Sequence, residues 1–329
     1  MPVTETPKSR FIKAMRHQKP DTYVSFMELE FHIFEEYVGK TPIICADLEK
    51  LSPKGKEAAF HKNAEIFIET AEKAGHDCIR PPYGYWEIAP GVPAFYWIRD
   101  TGDRLEQMRV LKKLAGDHYF IMGTVGGPFG IPDGEHIMDF VDALFERPDE
   151  FHAGCENALQ YMLSDQEQQL EAGADGIVSA ADVAFKNGPF VSPKMMDEFF
   201  FPYFTRWADS LKSRGILSIW HTDGNINILM DRIVECGVDA IQCVDPLAEM
   251  DIVALKKAMK GRLTLIGNID CSLLNLGTPE EIDAQVRHVV EGCKGEGGFV
   301  LCGCNAIFRG IPAENYQAMV DARYKYGKE

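Results

Sequence analysis

A single (β/α)8 barrel is the fold class that this sequence predicts, with a small excursion over its mouth after the second strand. Three observations carry that reading. Eight short apolar runs rich in β-branched and aromatic residues alternate with longer amphipathic stretches. No GxGxxG follows the first run and no Walker-type phosphate loop occurs, which favours a closed barrel over an open nucleotide-binding sheet. The 329 residues suit one α/β barrel, and no repeat, low-complexity tract or Pro/Gly/Ser linker divides them, so residues 1–329 read as one domain.

In chain order the runs are TYVSFM (22–27), DCIR (77–80), YFIMGTV (119–125), GIVSA (176–180), ILSIWH (216–221), DAIQCV (239–244), LTLIGNI (263–269) and GFVLCG (298–303). Each has the length and composition of a buried strand. KEAAFHKNAEIFIETAEKAG and ILMDRIVECG, among the stretches between them, space their apolar residues three and four apart, as helices packed on one face require. Thr278 with Pro279, and Ser192 with Pro193, are helix start signals, and Gly closes EAGADG and ECGVDA. Such alternation implies parallel strands with right-handed crossovers. KSRFIKAMRHQK, ahead of the first strand, reads as one face of a first helix. Residues 81–118 are too long for a plain connection and read as the excursion, a small hairpin whose Tyr83, Tyr85, Trp86, Phe95, Tyr96 and Trp97 would either wall an aromatic substrate or plug the barrel mouth as ordinary core.

The formal charge of −16 repels a polyanionic partner and no basic patch offsets it, so nucleic acid is excluded. No run approaches the ~18 apolar residues of a membrane span. MPVTETPKSR lacks the apolar core of a signal peptide, and the expected location is the cytoplasm. Nine cysteines there imply reduced thiols rather than a disulfide framework. Cys45, Cys78, Cys155, Cys236 and Cys293 stand singly and read as small core residues. Cys302 and Cys304 differ because they end a strand.

In a barrel of this kind the chemistry lies where strands end. The first strand ends at Glu28 and Glu30, the second at Arg80 and Tyr83, the fourth at Asp182 and the fifth at His221 and Asp223. The sixth ends at Gln242 and Asp245, the seventh at Asn268 and Asp270, the eighth at Cys302, Cys304 and Asn305. His, Asp and Cys all bind zinc, and a catalytic zinc takes three protein ligands and leaves a fourth position open. The i, i+2 spacing puts His221 and Asp223 on one side of the fifth strand, and Cys302 and Cys304 on one side of the eighth. Those strands stand roughly opposite each other, so both ends reach a central ion. Glu28 and Glu30 also share a side, where either would complete the shell in the absence of substrate. The bland alternatives are Asp223 as the cap of the helix NINILMDRIVE, the CGC pair as a redox couple or tight packing, and the glutamates as solvated charge at a helix start.

The motifs GGPFG, GADGIVSAADVAF, SPKMMDEFFFPYF, HTDGNINILMDRIVECGVDAIQCVDP, LIGNIDCSLLNLGTPEEI and GCNAIFRGIPAENYQAM resemble the uroporphyrinogen decarboxylase superfamily along nearly the whole chain. The resemblance implies the same barrel. Its decarboxylases bind a tetrapyrrole through an aspartate, without metal, with N-terminal arginines that VSFMELEFHIFEEY lacks. A polycarboxylate facing Glu28 and Glu30 would meet like charges. Its corrinoid-dependent methyltransferases hold zinc by His-x-Cys and a later Cys. His221 matches the His, Cys304 the later Cys, and Asp223 replaces the middle Cys. A carboxylate there makes the site harder, which suits polarising an ether oxygen more than activating a thiol.

The resemblance therefore implies a zinc-dependent methyltransferase. It would move a methyl group from a small methylated substrate, with a methyl ether favoured, to the cobalt of a separate corrinoid-binding protein, since no DxHxxG carrier pattern is present. His221, Asp223 and Cys304 are then the metal ligands, Asp182 and Glu28 the catalytic carboxylates, and Tyr83, Glu30 and Asn305 the substrate contacts. The alternatives are a metal-free decarboxylase using Asp182, and a non-enzymatic barrel that binds a corrinoid or tetrapyrrole.

Overall fold

The computed structural model describes residues 5–82 and 98–329, and the backbone alone of 87–89 and 92–93. All eight apolar runs form strands: β1 Ser25–Phe26, β2 Cys78–Ile79, β3 Phe120–Val125, β4 Gly176–Ala180, β5 Leu217–His221, β6 Ala240–Gln242, β7 Thr264–Ile269 and β8 Phe299–Gly303. They pair in parallel in the order β1-β8-β7-β6-β5-β4-β3-β2. The two end strands meet where the Asp77 amide donates to the Phe26 carbonyl at 2.7 Å, so the sheet closes into a (β/α)8 barrel.

Strand alternation sorts the side chains into two layers. Leu217, Ile219, Ala240, Ile266, Val300 and Cys302 belong to the cluster inside the barrel. Trp220, Ile241, Leu265, Phe299 and Leu301 face outward into the larger core beneath the helices. His221 and Gln242 inherit the inward parity of Ile219 and Ala240. The register pairs Gln242 with His221, so the two stand at one height on neighbouring strands.

The first helix, α1 Pro7–Met15, opens with a capping box between Thr6 and Ser9 and buries Phe11, Ala14 and Met15. Phe11 joins the interior cluster, 4.7 Å from the Phe120 ring, so α1 plugs the end of the barrel opposite the mouth. Outside the strands run α2 Pro53–Ala74, α3 Thr101–Ala115, α4 Pro148–Glu171, α5 Phe201–Lys212, α6 Met230–Cys236, α7 Ile252–Ala258, α8 Pro279–Cys293 and α9 Ala313–Tyr326. Thr278 and Glu281 form the expected capping box of α8. Ser192 caps a single α-turn, Pro193–Met195, which passes through a π-helical turn, Met196–Phe200, before α5 begins.

The excursion is shorter than the sequence suggests. Its hairpin exists, Glu87–Ala89 against Val92–Pro93. Residues 101–115, however, are the ordinary crossover helix α3, started by the Asp100 side chain accepting from the Asp103 amide at 2.9 Å. The polar sequence of α3 hid a buried face of Leu105, Met108 and Leu111. Tyr83, Tyr85, Trp86, Phe95, Tyr96 and Trp97 lie outside the described residues.

Barrel closure rests on Asp77. Its fully buried carboxylate accepts from Arg10 Nε at 2.9 Å, Ser25 Oγ at 2.8 Å and the Phe26 amide at 3.2 Å, tying α1 and β1 to β2. Asp77→Ala removes the partner of a mostly buried guanidinium along with three hydrogen bonds. A loss of about 3–5 kcal/mol is expected, read as a lower urea midpoint with an unchanged strand content. A midpoint within error of wild type would show that the seam does not depend on this carboxylate.

Candidate metal centre at the barrel mouth

His221 ends β5 with its ring turned inward. Its Nδ1 hydrogen-bonds to Gln242 Oε1, at the same height on β6. The Gln242 amide is itself oriented, because its Nε2 donates to the Gly303 carbonyl at 3.3 Å and approaches Cys302 Sγ at 3.6 Å. The oxygen therefore faces the histidine, so Nδ1 carries a proton and Nε2 turns to the mouth. That nitrogen lies 3.7 Å from Asp182 Oδ1 and 3.9 Å from Asp223 Oδ1. Ligand atoms of these three residues all lie within 4.8 Å of one another.

The two carboxylates are placed by their turns. Asp223 follows β5, where Gly224 at φ +84 makes the tight turn, and a Cβ there would stand 2.5 Å from the Ala184 carbonyl. Asp182 is brought alongside because the Ala181 amide donates to the His221 carbonyl and the Val183 amide to Thr222 Oγ1. Asp182 Oδ1 accepts from the Asp223 amide at 3.0 Å. From the far side, Asn305 Nδ2 donates to Asp223 Oδ2 at 2.6 Å, so the ends of β5 and β8 do meet across the mouth. Asp223 caps no helix; α6 begins without a side-chain cap. Its other oxygen, Oδ1, is buried without a hydrogen-bond partner. Burial raises the Asp223 pKa against the pull of His221, with Asp182 adding to the rise. Two carboxylates and an imidazole nitrogen converge here, an arrangement that would suit a cation.

Cys304 lies outside that three-residue group. Its Sγ is 3.8 Å from Cys271 Sγ, in a cluster of buried thiols with Cys243, against Phe308. Cys243 faces both Asp223 and Cys304, so the thiols adjoin the carboxylate site. Its backbone at φ 98, followed by Val244 at φ 50, turns the chain sharply there. Cys302, one pleat back, is committed to Gln242 and to Glu28 Oε2 at 3.5 Å.

Glu28 and Glu30 lie past the end of β1, where the backbone is no longer regular strand. Neither is solvated charge. Glu28 is 4% exposed and accepts from the Gly303 amide at 3.0 Å. Burial pushes its carboxyl up to about 8. The Tyr316 hydroxyl lies 3.3 Å from Glu28 Oε1 and 2.6 Å from His76 Nε2, and burial holds His76 down to about 3, so the imidazole accepts. Glu30 pairs with Arg80 and lies 3.3 Å from His32; these cations hold its carboxyl low although burial alone would raise it. Arg80 also donates to Thr124 Oγ1 and the Leu29 carbonyl. Tyr83 lies outside the described residues. Of the remaining strand-end polar groups, Asp245 and Asp270 cap short helices and Asn268 holds the Val244 carbonyl.

The family model for uroporphyrinogen decarboxylase, URO-D, matches residues 99–326. The chain belongs to that family. A uroporphyrinogen decarboxylase of Anaeromyxobacter dehalogenans is 27% identical over 90% of this chain and 80% of its own length. A methylcobamide:CoM methyltransferase, MtaA, of Methanosarcina barkeri is 25% identical over 68% of this chain and 63% of its own. A solved methyltransferase from Methanosarcina mazei superposes with a TM-score of 0.75 at 19% identity, over 98% of this chain and 99% of that one, which shows a shared fold. Within this enzyme family, no helix among the described residues is long and apolar enough to cross a membrane.

Sequence reasoning missed the part played by Gln242, and the thiols of Cys243 and Cys271 altogether. The signal for Gln242 was present: AIQ and IWH are in-register strand ends with equal inward parity. Gln242→Leu keeps the volume and removes the amide that fixes His221. Zinc affinity should fall about 10–100-fold by competition titration with a chelating dye, and an unchanged affinity would show that the ring is held otherwise.

Glu28 gives a pH signature. Its folded-state pKa of about 8 lies above the ordinary 4.5, so its stabilising contribution is complete below about 4.5 and is lost as pH rises through about 8. Urea unfolding between pH 5 and 9 should show wild type losing up to about 1.4 kcal/mol per pH unit relative to Glu28→Gln. Parallel profiles would mean that Glu28 is ionised in the folded protein.

Proposed function

We propose that this chain is a zinc-dependent methyltransferase that moves a methyl group from a small methylated substrate to the cobalt of a separate corrinoid-binding protein. The favoured donor is a methyl ether, possibly on an aromatic ring, cleaved by O-demethylation. The observation that carries this reading is Asp223 Oδ1, buried without a partner 3.9 Å from His221 Nε2. It supplies an oxygen donor where the resembling methyltransferases carry a thiolate, and an oxygen-rich site favours harder ligands.

We assign the zinc to His221, Asp223 and Cys304. When bound, it supplies a Lewis acid at the oxygen from which the methyl group departs. Gln242 keeps the His221 lone pair aimed at the mouth, and Asn305 fixes the Asp223 carboxylate plane, so little reorganisation is needed as charge develops on the leaving oxygen. Asp182, exposed at the rim, orients the polar groups of the substrate. Glu28, kept protonated by burial, and Glu30, satisfied by Arg80, present no free negative charge to repel the departing oxygen. The MtaA relative, which carries methylcobamide in its name, supports a corrinoid partner.

A metal-free decarboxylase of a small carboxylic acid is the second reading, favoured by the decarboxylase relative and by the half-exposed Asp182. It is weakened by Arg80, whose guanidinium is already used by Glu30, Leu29 and Thr124 and is poorly placed to hold a substrate carboxylate.

Metal analysis separates them. Protein purified without added metal should carry about one zinc, lost in Cys304→Ala and kept in Asp182→Asn. Loss in Asp182→Asn alone would move the third ligand to the rim carboxylate, and metal-free, active wild type would favour the decarboxylase. Asp223→Cys should keep its zinc yet cleave methyl ethers at least about tenfold more slowly, or about 1.4 kcal/mol. Thiol methylation from a methylated corrinoid should suffer less. Equal ether cleavage with zinc fully bound would remove the support for an ether substrate.

A further inference from the structure

Large apolar side chains left in water are unevenly placed on this barrel. Nine are exposed among the described residues. Six of them, Met138, Phe145, Phe185, Ile228, Leu247 and Leu276, lie on segments that run from the mouth end of a strand to the next crossover helix. The segments after β3, β4, β5, β6 and β7 each supply at least one, and these strands are consecutive around the barrel. The other three stand singly on α3, α4 and α9. Single exposed apolar residues are ordinary, but a set gathered round one opening marks a contact surface. The helix Ile137–Glu146, after β3, buries only Leu144 of its 10 residues. The segments also hold one another. The Phe190 ring lies 5.6 Å from Phe185 and 5.4 Å from Phe140, and the Asn225 amide donates to the Phe185 carbonyl at 2.9 Å. That bond joins the segment carrying Asp182 to the one carrying Asp223, so the apolar face adjoins the candidate metal centre.

We propose that this face is where the corrinoid-binding protein docks, through a surface with an apolar centre and a rim of Lys and Arg. This rests on the methyltransferase reading, under which the cobalt must be brought to the mouth. The charge of the face selects the partner. Glu135, Asp142, Glu146 and Glu249 are exposed on the same segments, whose only Lys or Arg are Lys186 and Arg147, and Arg147 is already paired with Asp139 and Glu150. A second copy of this chain fits poorly, because a two-fold contact would set these carboxylates against themselves on a chain of formal charge −16. A basic partner gains on both counts: its charge steers the approach and the apolar centre supplies affinity.

Calorimetric titration of the whole protein with a purified corrinoid-binding protein of the source organism tests this. The double variant Met138→Lys, Leu276→Lys changes two exposed side chains outside the metal centre, so its urea midpoint and metal content should match wild type. Its affinity for the corrinoid-binding protein should fall at least about tenfold. Wild-type binding should weaken several-fold between about 0.05 and 0.3 M salt. Equal affinity of variant and wild type overturns the docking face and leaves the methyltransferase reading standing. No binding by wild type overturns both the face and the corrinoid partner of that reading. Sedimentation supplies the remaining outcome: a wild-type dimer that becomes a monomer in the double variant assigns the face to a second copy and overturns the proposal.

Discussion

One amide can face only one way. The Gln242 NH2 is held by the Gly303 carbonyl and by Cys302, so its oxygen must meet His221 Nδ1. This puts a proton on Nδ1 and turns Nε2 to the mouth. It also locks three strand ends, β5, β6 and β8, into one unit before any ligand arrives. Without the amide, the ring would keep only its contacts with Asp182 and Asp223 at the mouth.

Behind that unit runs a continuous buried polar chain, from Gln242 through Cys302 and Glu28 to Tyr316 and His76. Every member sits in surroundings that disfavour charge. Burial drives Glu28 and Cys302 up and His76 down, so each is held neutral near neutral pH. This part of the barrel wall is therefore polar without being ionic, and among the described residues the candidate metal-binding group is the one at the mouth. A single cation placed there would face converging donors and no competing ion pair, because Glu30 and Arg80 neutralise each other at a distance from it.

The fold was legible because hydrophobic runs and helix signals repeat eight times, and every strand formed where its run stood. The site was legible as a set of strand ends and less so as a set of contacts. His221, Asp223 and Asn305 come together because side-chain parity and strand height favour it, which the HTD spacing alone does not reveal. Glu28 and Glu30 follow β1 where regular strand has ended, so alternation does not place them, and their partners Gly303, Tyr316 and Arg80 come from distant parts of the chain. Cys271 escaped notice because its partner is 33 residues away and their adjacency depends on a ladder that outlasts both strands. The α3 helix escaped because its sequence is mostly charged outside three buried positions.

The seam between β1 and β2 has a consequence of its own. The candidate site residues Asp182, His221, Asp223 and Asn305 follow or end β4, β5 and β8, with Gln242 of β6 between them, whereas β1 and β2 are two residues long and meet through one backbone bond beside Asp77. Insertions after either short strand load the seam and not the braced half. The barrel thus divides into a braced half that carries the candidate site and a lightly tied half that closes it, so a change near β1 or β2 is taken up at the seam before it reaches the carboxylates.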